Sequence, residues 1–209
     1  MKHLKKRPFV TYSILWFLGF ALLAIASILI AITLPMPSAD ASGVVLWAQK
    51  HRVILQLADE LLVFSAPILL SAVLLLHRKI NKQMPLQSSI MLALFIVLTI
   101  GIIYTVFALG RLVYPVNGLS LTHDIALLSA SQLFAGLHLV SLALVPCVIT
   151  IAFLSRSKIV GLVTVITALL QIIGTYYAEA ISVPLAISAM FVLFVWSTIA
   201  IVGLKRYYI

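Results

Sequence analysis

Acidic residues are scarce in this chain: five Asp and Glu stand against fourteen Lys and Arg in 209 residues, and charged residues of both signs make up only 9%. So few charges cannot clothe a water-soluble domain of this length, in which charged side chains ordinarily supply about a quarter of the composition. Cysteine is almost missing as well. The single Cys147 follows Pro146 inside an apolar run, which excludes an intrachain disulfide and a cysteine-based metal centre. There is no glycine-rich phosphate loop, no HExxH pair, no closely spaced histidine motif and no nucleophile elbow, so no motif fixes a reaction. Internal repeats and low-complexity tracts are also lacking.

What the chain has in abundance is hydrocarbon. Hydrophobic residues make up 64% and mean hydropathy is +1.23, more apolar surface than one core of this size can hide, so lipid must be the solvent for much of it. Backbone polar groups inside lipid must be bonded internally, and the apolar runs are too long for barrel strands of about ten residues. The sequence therefore predicts an all-α membrane protein, a bundle of six transmembrane helices near 9–34, 53–76, 86–110, 123–154, 159–178 and 183–204. These form one integral membrane domain over 1–209.

The formal net charge of +9 does not point to nucleic acid, because the basic residues fall in short clusters at the ends of apolar runs. Lys2, Lys5, Lys6, Arg7, Arg78, Lys79, Lys82, Arg156, Lys158, Lys205 and Arg206 lie on one predicted side; Lys50, Arg52 and Arg111 lie on the other. The positive-inside rule then places both termini in the cytoplasm, with Tyr207 and Tyr208 as an interfacial anchor. A basic leader followed by Ala39-Asp40-Ala41 has the form of a signal peptide. The apolar stretch from Phe9 to Leu34 exceeds a signal core of about 7–15 residues, so a retained first helix is expected.

The predicted loops are short, which leaves any function to the helices and their outer ends. Between Pro35 and Arg52, breakers end the first helix, and Val44, Val45, Trp47 and Ala48 predict a short interfacial helix. Pro67 and Pro146 predict bends in the second and fourth spans. Small residues four apart, Ser27 with Ala31, Ala126 with Ala130 and Ser131 with Ala135, would allow close helix packing.

All five acids, Asp40, Asp59, Glu60, Asp124 and Glu179, lie toward the predicted outside. An acid at mid-helix costs on the order of 2.5–3.5 kcal/mol, so each needs a partner or water. Glu60 and His138 each sit about 16 residues, roughly 24 Å, from the inner end of their spans, and Tyr104, Tyr176 and Ser188 fall within about a turn of that level. Asp59, Arg111, Asp124 and Glu179 come one layer further out, where Asp59 and Glu179 are expected to meet interfacial water. Residues seven apart share a face, so Asp124, Ser131 and His138 form one polar stripe and Tyr104 with Arg111 another. Should the stripes face one another and Glu60, they would border a pocket.

The candidate ligand-binding residues are thus Glu60, His138, Tyr104, Arg111, Asp124, Ser131 and Tyr176. Each has a plain structural alternative: Glu60 paired with Arg111 or His138 to fix packing, His138 as a hydrogen-bonded packing residue, and His123 with Asp124 as ordinary helix-start residues. Arg111 could equally snorkel to headgroups. His123, Asp124, His138 and Glu60 are suitable ligand types for a metal, but no ligand spacing supports one, and no cofactor is expected. Haem is disfavoured because His138 has no second histidine at matching depth.

The expected role is a non-enzymatic binding or accessory protein, surrounded by membrane lipids and engaging a small ligand or a partner membrane protein. The alternatives are a small transporter or proton-coupled carrier, against which the acid-free inner half argues, and a metal-dependent membrane enzyme. The span order, the stretch WAQKHRVILQLADELL entering the second helix, SQLFAGLHLVSLAL in the fourth and RSKIVGL opening the fifth resemble a group of small six-span bacterial membrane proteins known only as a domain of unknown function. That resemblance implies a bacterial cytoplasmic membrane and brings no assigned activity.

Overall fold

Long apolar runs have one economical way to satisfy their backbone in lipid, and the computed structural model takes it. It describes residues 7–34, 41–114, 121–176 and 183–208, and every regular element among them is helical. The helices are α1 (Arg7–Ala31), α2 (Ala41–Lys50), α3 (Arg52–Ile80), α4 (Pro85–Val113), α5 (His123–Ser155), α6 (Lys158–Tyr176) and α7 (Val183–Tyr208). Five of them, α1, α3, α4, α5 and α7, are long and apolar enough to cross a membrane, whereas the apolar stretch of α6, Lys158–Gly174, is shorter.

Local chemistry sets the boundaries. Pro85 opens α4 at its first helical position, where a missing N–H costs nothing. Thr122 caps α5 by accepting from the Ile125 amide, and Asp124 sits in the first turn where the helix dipole favours an anion. At the other end of α5 the chain turns into α6 through Arg156 in the left-handed region, φ 50. The helix α3 continues through His77, Arg78 and Lys79 beyond the predicted span, because basic residues are good helix formers and complement a C-terminus. α1 ends at Ala31, earlier than the apolar run suggests, and Thr33 and Leu34 close it with turn bonds to Ile30 and Ala31.

The long helices form a ring in the order α1, α3, α4, α5, α6, α7 and back to α1. Neighbours run antiparallel, as the cross-contacts require: His77 near the end of α3 meets Ser88 near the start of α4, and Trp196 of α7 meets Thr164 of α6. The start of α1, the α3–α4 turn, the α5–α6 link and the end of α7 consequently share one end, which carries Arg78, Lys79, Lys82, Arg156, Lys158 and Lys205. We call it the basic end. The opposite end carries α2, whose Val44, Trp47 and Ala48 are buried at helical spacing against the bundle, chiefly on α5. Trp47 donates its indole N–H to the Thr33 carbonyl at 2.9 Å, tying α2 to the close of α1.

Glycine lets two pairs approach closely. A Cβ on Gly19 would lie 2.6 Å from Leu69 Cγ, and one on Gly136 would lie 2.5 Å from Thr105 Oγ1 and 3.1 Å from Thr105 Cα. Of the predicted small-residue pairs, Ala126 and Ala130 face the interior, while Ser131 and Ala135 face outward. The middle of the ring is filled rather than hollow. Trp16 and Phe20 of α1 meet Phe95 of α4 and Trp196 of α7, with ring centroids 5.7 to 6.4 Å apart. Both indoles are satisfied, Trp16 by the Ser197 carbonyl and Trp196 by Thr164 Oγ1. Phe107, Phe153 and Leu162 point out of the bundle at 75%, 77% and 67% exposure, and only 33–44% of each apolar span is buried inside it. Apolar surface on that scale needs lipid, so the chain is a membrane-spanning helical bundle.

Candidate binding site at the α3–α4 seam

The buried face of α3 is written as Leu55, Ala58, Asp59, Leu62, Ser65, Ala66 and Leu69, an i, i+3, i+4 stripe into which Asp59 falls by phase. Asp59 is accordingly 5% exposed, and Glu60, one residue and about 100° further round, is exposed. This corrects the expectation that Asp59 reaches interfacial water: the helix turns it into the protein and leaves Glu60 at the surface. Ser65, further along the stripe, is satisfied by donating to the Gly19 carbonyl at 3.1 Å. Asp59 Oδ1 is buried with no hydrogen-bond partner.

The antiparallel C-terminus of α4 faces this part of α3. Val113, one of the last carbonyls of α4 and so without an intrahelical donor, accepts from Arg52 Nε at 3.1 Å and from Gln56 Nε2 at 3.2 Å. Tyr114, just past the helix, donates its hydroxyl to Glu60 Oε1 at 2.7 Å. Between these contacts lies Gly110. A Cβ there would stand 3.7 and 3.8 Å from the two Asp59 carboxylate oxygens and 4.0 Å from Tyr114 Cδ2, so the missing side chain leaves a gap between carboxylate and ring about one methyl group wide. Partial burial, the hydrogen bond to Glu60 and the negative charge of Glu60 and Asp59 push the Tyr114 phenol up to about 12.

Toward the basic end the same seam opens into an apolar crevice of about 310 Å³. Leu62, Val63, Ala66, Pro67 and Leu70 line it from α3. Thr99, Ile103 and Val106 line it from α4. Pro67 has no N–H to give the Val63 carbonyl and its ring crowds that oxygen, a local reason for the helices to part there. Thr99 turns its hydroxyl back to the Phe95 carbonyl of its own helix at 2.8 Å, so the crevice wall is effectively hydrocarbon.

The other sequence candidates are spread out. Tyr104, 40% exposed, packs beside Gly136 of α5, and Arg111 is half-buried near the end of α4. Ser131 and His138 are exposed and lie roughly 140–160° around α5 from the Gly136 face that meets α4. The Asp124–Ser131–His138 stripe therefore does not close a pocket with the Tyr104–Arg111 stripe. Asp124 is exposed at the start of α5, beside His123. Tyr176 ends α6 with its side chain outside the described residues, as are Asp40 and Glu179. Ser188 is exposed and donates to the Pro184 carbonyl of its own helix. Among the described residues no three His, Cys, Asp or Glu side chains gather as a metal site, so Glu60, His123, Asp124 and His138 do not form one.

Tyr114, Arg52, Gln56 and Gly110 are absent from the sequence-derived set. Asp59 could have been assigned inward from the apolar periodicity of α3 alone. The Tyr114–Glu60 pairing, 54 residues apart in sequence, had no local signal. No family model, no curated protein and no solved structure matches the chain.

Proposed function

We propose that this chain is a non-enzymatic binding or accessory protein of the cell membrane, with six spans, both termini cytoplasmic and its binding site in the outer half of the bilayer. The observation that carries the reading is Asp59: a carboxylate 5% exposed with Oδ1 lacking a donor, beside the Glu60–Tyr114 hydrogen bond. A buried acceptor without a partner costs about 1–3 kcal/mol, and a fold keeps such a cost where something else supplies the missing donor. The excess of Lys and Arg toward one end, eleven of the fourteen, supports the orientation, and the length of 159–178 in sequence supports α6 as a sixth span. The Trp16–Phe20–Phe95–Trp196 cluster speaks against a carrier, because four large rings fill the bundle centre toward the basic end.

The test is a broad ligand screen on purified protein by thermal unfolding, run beside Glu60→Gln, since a ligand that binds the native state raises its apparent stability. At least one compound stabilises the parent protein and loses its effect in the variant; a screen in which every stabilising compound acts equally on both overturns the reading. Topology is checked with single cysteines in a Cys147→Ala background. A cysteine at Asn81 resists an impermeant reagent applied to intact cells, and modification from outside reverses the orientation.

A further inference from the structure

The acidic pair and the apolar crevice occupy one continuous seam, and together they specify an amphiphile. Resting on the binding reading above, we propose that the site takes a lipophilic organic cation, its ammonium head held by Glu60 and Asp59 and its single hydrocarbon chain laid in the crevice beside Pro67. Along α3, Val63, Pro67 and Leu70 follow Glu60 at three, seven and ten residues and stay within about 80° of its direction. Counted from Leu62, which also lines it, the crevice begins roughly 3 Å along the helix axis from the Glu60 backbone and runs for roughly another 12 Å. On α4, Val106, Ile103 and Thr99 continue the line that starts at Tyr114.

The chemistry of the head follows from which oxygens are left over. Tyr114 occupies Glu60 Oε1, leaving Oε2 for a ligand, and Asp59 Oδ1 has no donor. An ammonium brings N–H donors and a positive charge and accepts nothing. A carboxylate or phosphate head would meet two acids, and a neutral alcohol would answer at most one acceptor with no charge to balance. The gap at Gly110, one methyl wide between the Asp59 oxygens and the Tyr114 ring, suits a compact head. The chain half of the ligand follows from the crevice, whose volume of about 310 Å³ stands at the low end of small-ligand sites of about 300–1,000 Å³.

Three probes of equal chain length separate the classes: decylammonium, decanoate and decanol, each titrated against full-length protein in a neutral maltoside detergent, read by thermal shift and by calorimetric binding. Decylammonium stabilises the parent protein and the other two do not. Glu60→Gln weakens that response roughly ten-fold or more, since it removes a charge-assisted contact in a poorly hydrated site. Gly110→Ala places a methyl group in the gap at ordinary contact distance, so unliganded stability holds or rises while decylammonium binding falls. Ile103→Trp, at a position 43% exposed, fills the crevice and weakens decylammonium without affecting binding of ethylammonium, which has no chain to displace. An equal or larger Glu60-dependent response to decanoate or decanol overturns the cation while leaving the binding reading in place. A decylammonium response that is absent, or unchanged in both Glu60→Gln and Gly110→Ala, also overturns it; the binding reading then stands or falls on the broad screen.

Discussion

At the basic end, His77 and Ser88 complete one another: Ser88 Oγ lies 2.7 Å from His77 Nδ1 and donates to the His77 carbonyl at 3.2 Å, and Ser88 is fully buried. At the α2 end of the same helix pair, Asp59 is buried to nearly the same degree and one of its oxygens meets no donor. The two ends of the α3–α4 hairpin therefore spend burial differently. One uses it to lock a turn of a few residues, the other holds an acceptor open beside an exposed acid and a tyrosine. Buried polar groups are nearly always satisfied, and the open acceptor at the α2 end is the feature on which the proposed ligand site rests.

The hardest blow to the closed end is Trp16→Ala. It removes the ring that touches Phe20, Phe95 and Trp196 and the indole N–H bonded to the Ser197 carbonyl, so unfolding of the purified protein should be easier by about 3–5 kcal/mol. Loss of that size with the ligand response intact in the surviving folded fraction keeps the two regions separate. Equal loss of both would join them.

Asp59→Leu should have the opposite sign. Leucine has the branching of aspartate with methyl groups where the oxygens stood, and the nearest feature of α4 is the bare Gly110. Replacing an acceptor that lacks a partner removes a desolvation cost, for a gain of about 1–3 kcal/mol in unfolding free energy together with loss of ligand response. A destabilised Asp59→Leu would mean the carboxylate already has its donor.

Ser88→Ala tests the satisfied end on a smaller scale. It deletes the hydroxyl that bridges to His77 but leaves His77 Nδ1 within 3.1 Å of the Ser88 carbonyl, so the expected cost is about 1 kcal/mol. Thermal unfolding of the single variants and of Ser88→Ala combined with Asp59→Leu should show additivity, as sites at opposite ends of a helix share no partner.

How much of this was readable beforehand follows a physical rule. Helix positions, the short α2 and the clustering of basic residues came from composition and periodicity, which act within one helix at a time. The inward turn of Asp59 belonged to the same class of information, because Leu55, Leu62 and Leu69 mark the buried face of α3. Depth counting missed it by treating Asp59 and Glu60 as two levels when they are two directions. The expected pocket between the stripes of α4 and α5 needed the rotation of one helix against another. That rotation is set by the steric fit of Gly136 on Thr105, which no stripe within a single helix reveals. Tyr114 lay beyond the last apolar turn of α4, and only the antiparallel pairing brings it to Glu60.

Tyr114→Phe is the mildest change, and pH identifies it. The Tyr114–Glu60 bond is exposed, so its removal should cost only about 0.5–1 kcal/mol at neutral pH. The phenol is raised from 10.0 to about 12 in the folded protein, meaning that the native state holds the proton more tightly than the unfolded chain does. The stability linked to that proton is fully present below pH 10 and disappears as pH climbs toward 12. Unfolding followed across that window should therefore show an alkaline decline in the parent protein that is shallower in Tyr114→Phe. Identical declines would show that the hydroxyl is not held by the Glu60 carboxylate, and the acceptor side of the seam would then offer a ligand both Glu60 oxygens instead of one.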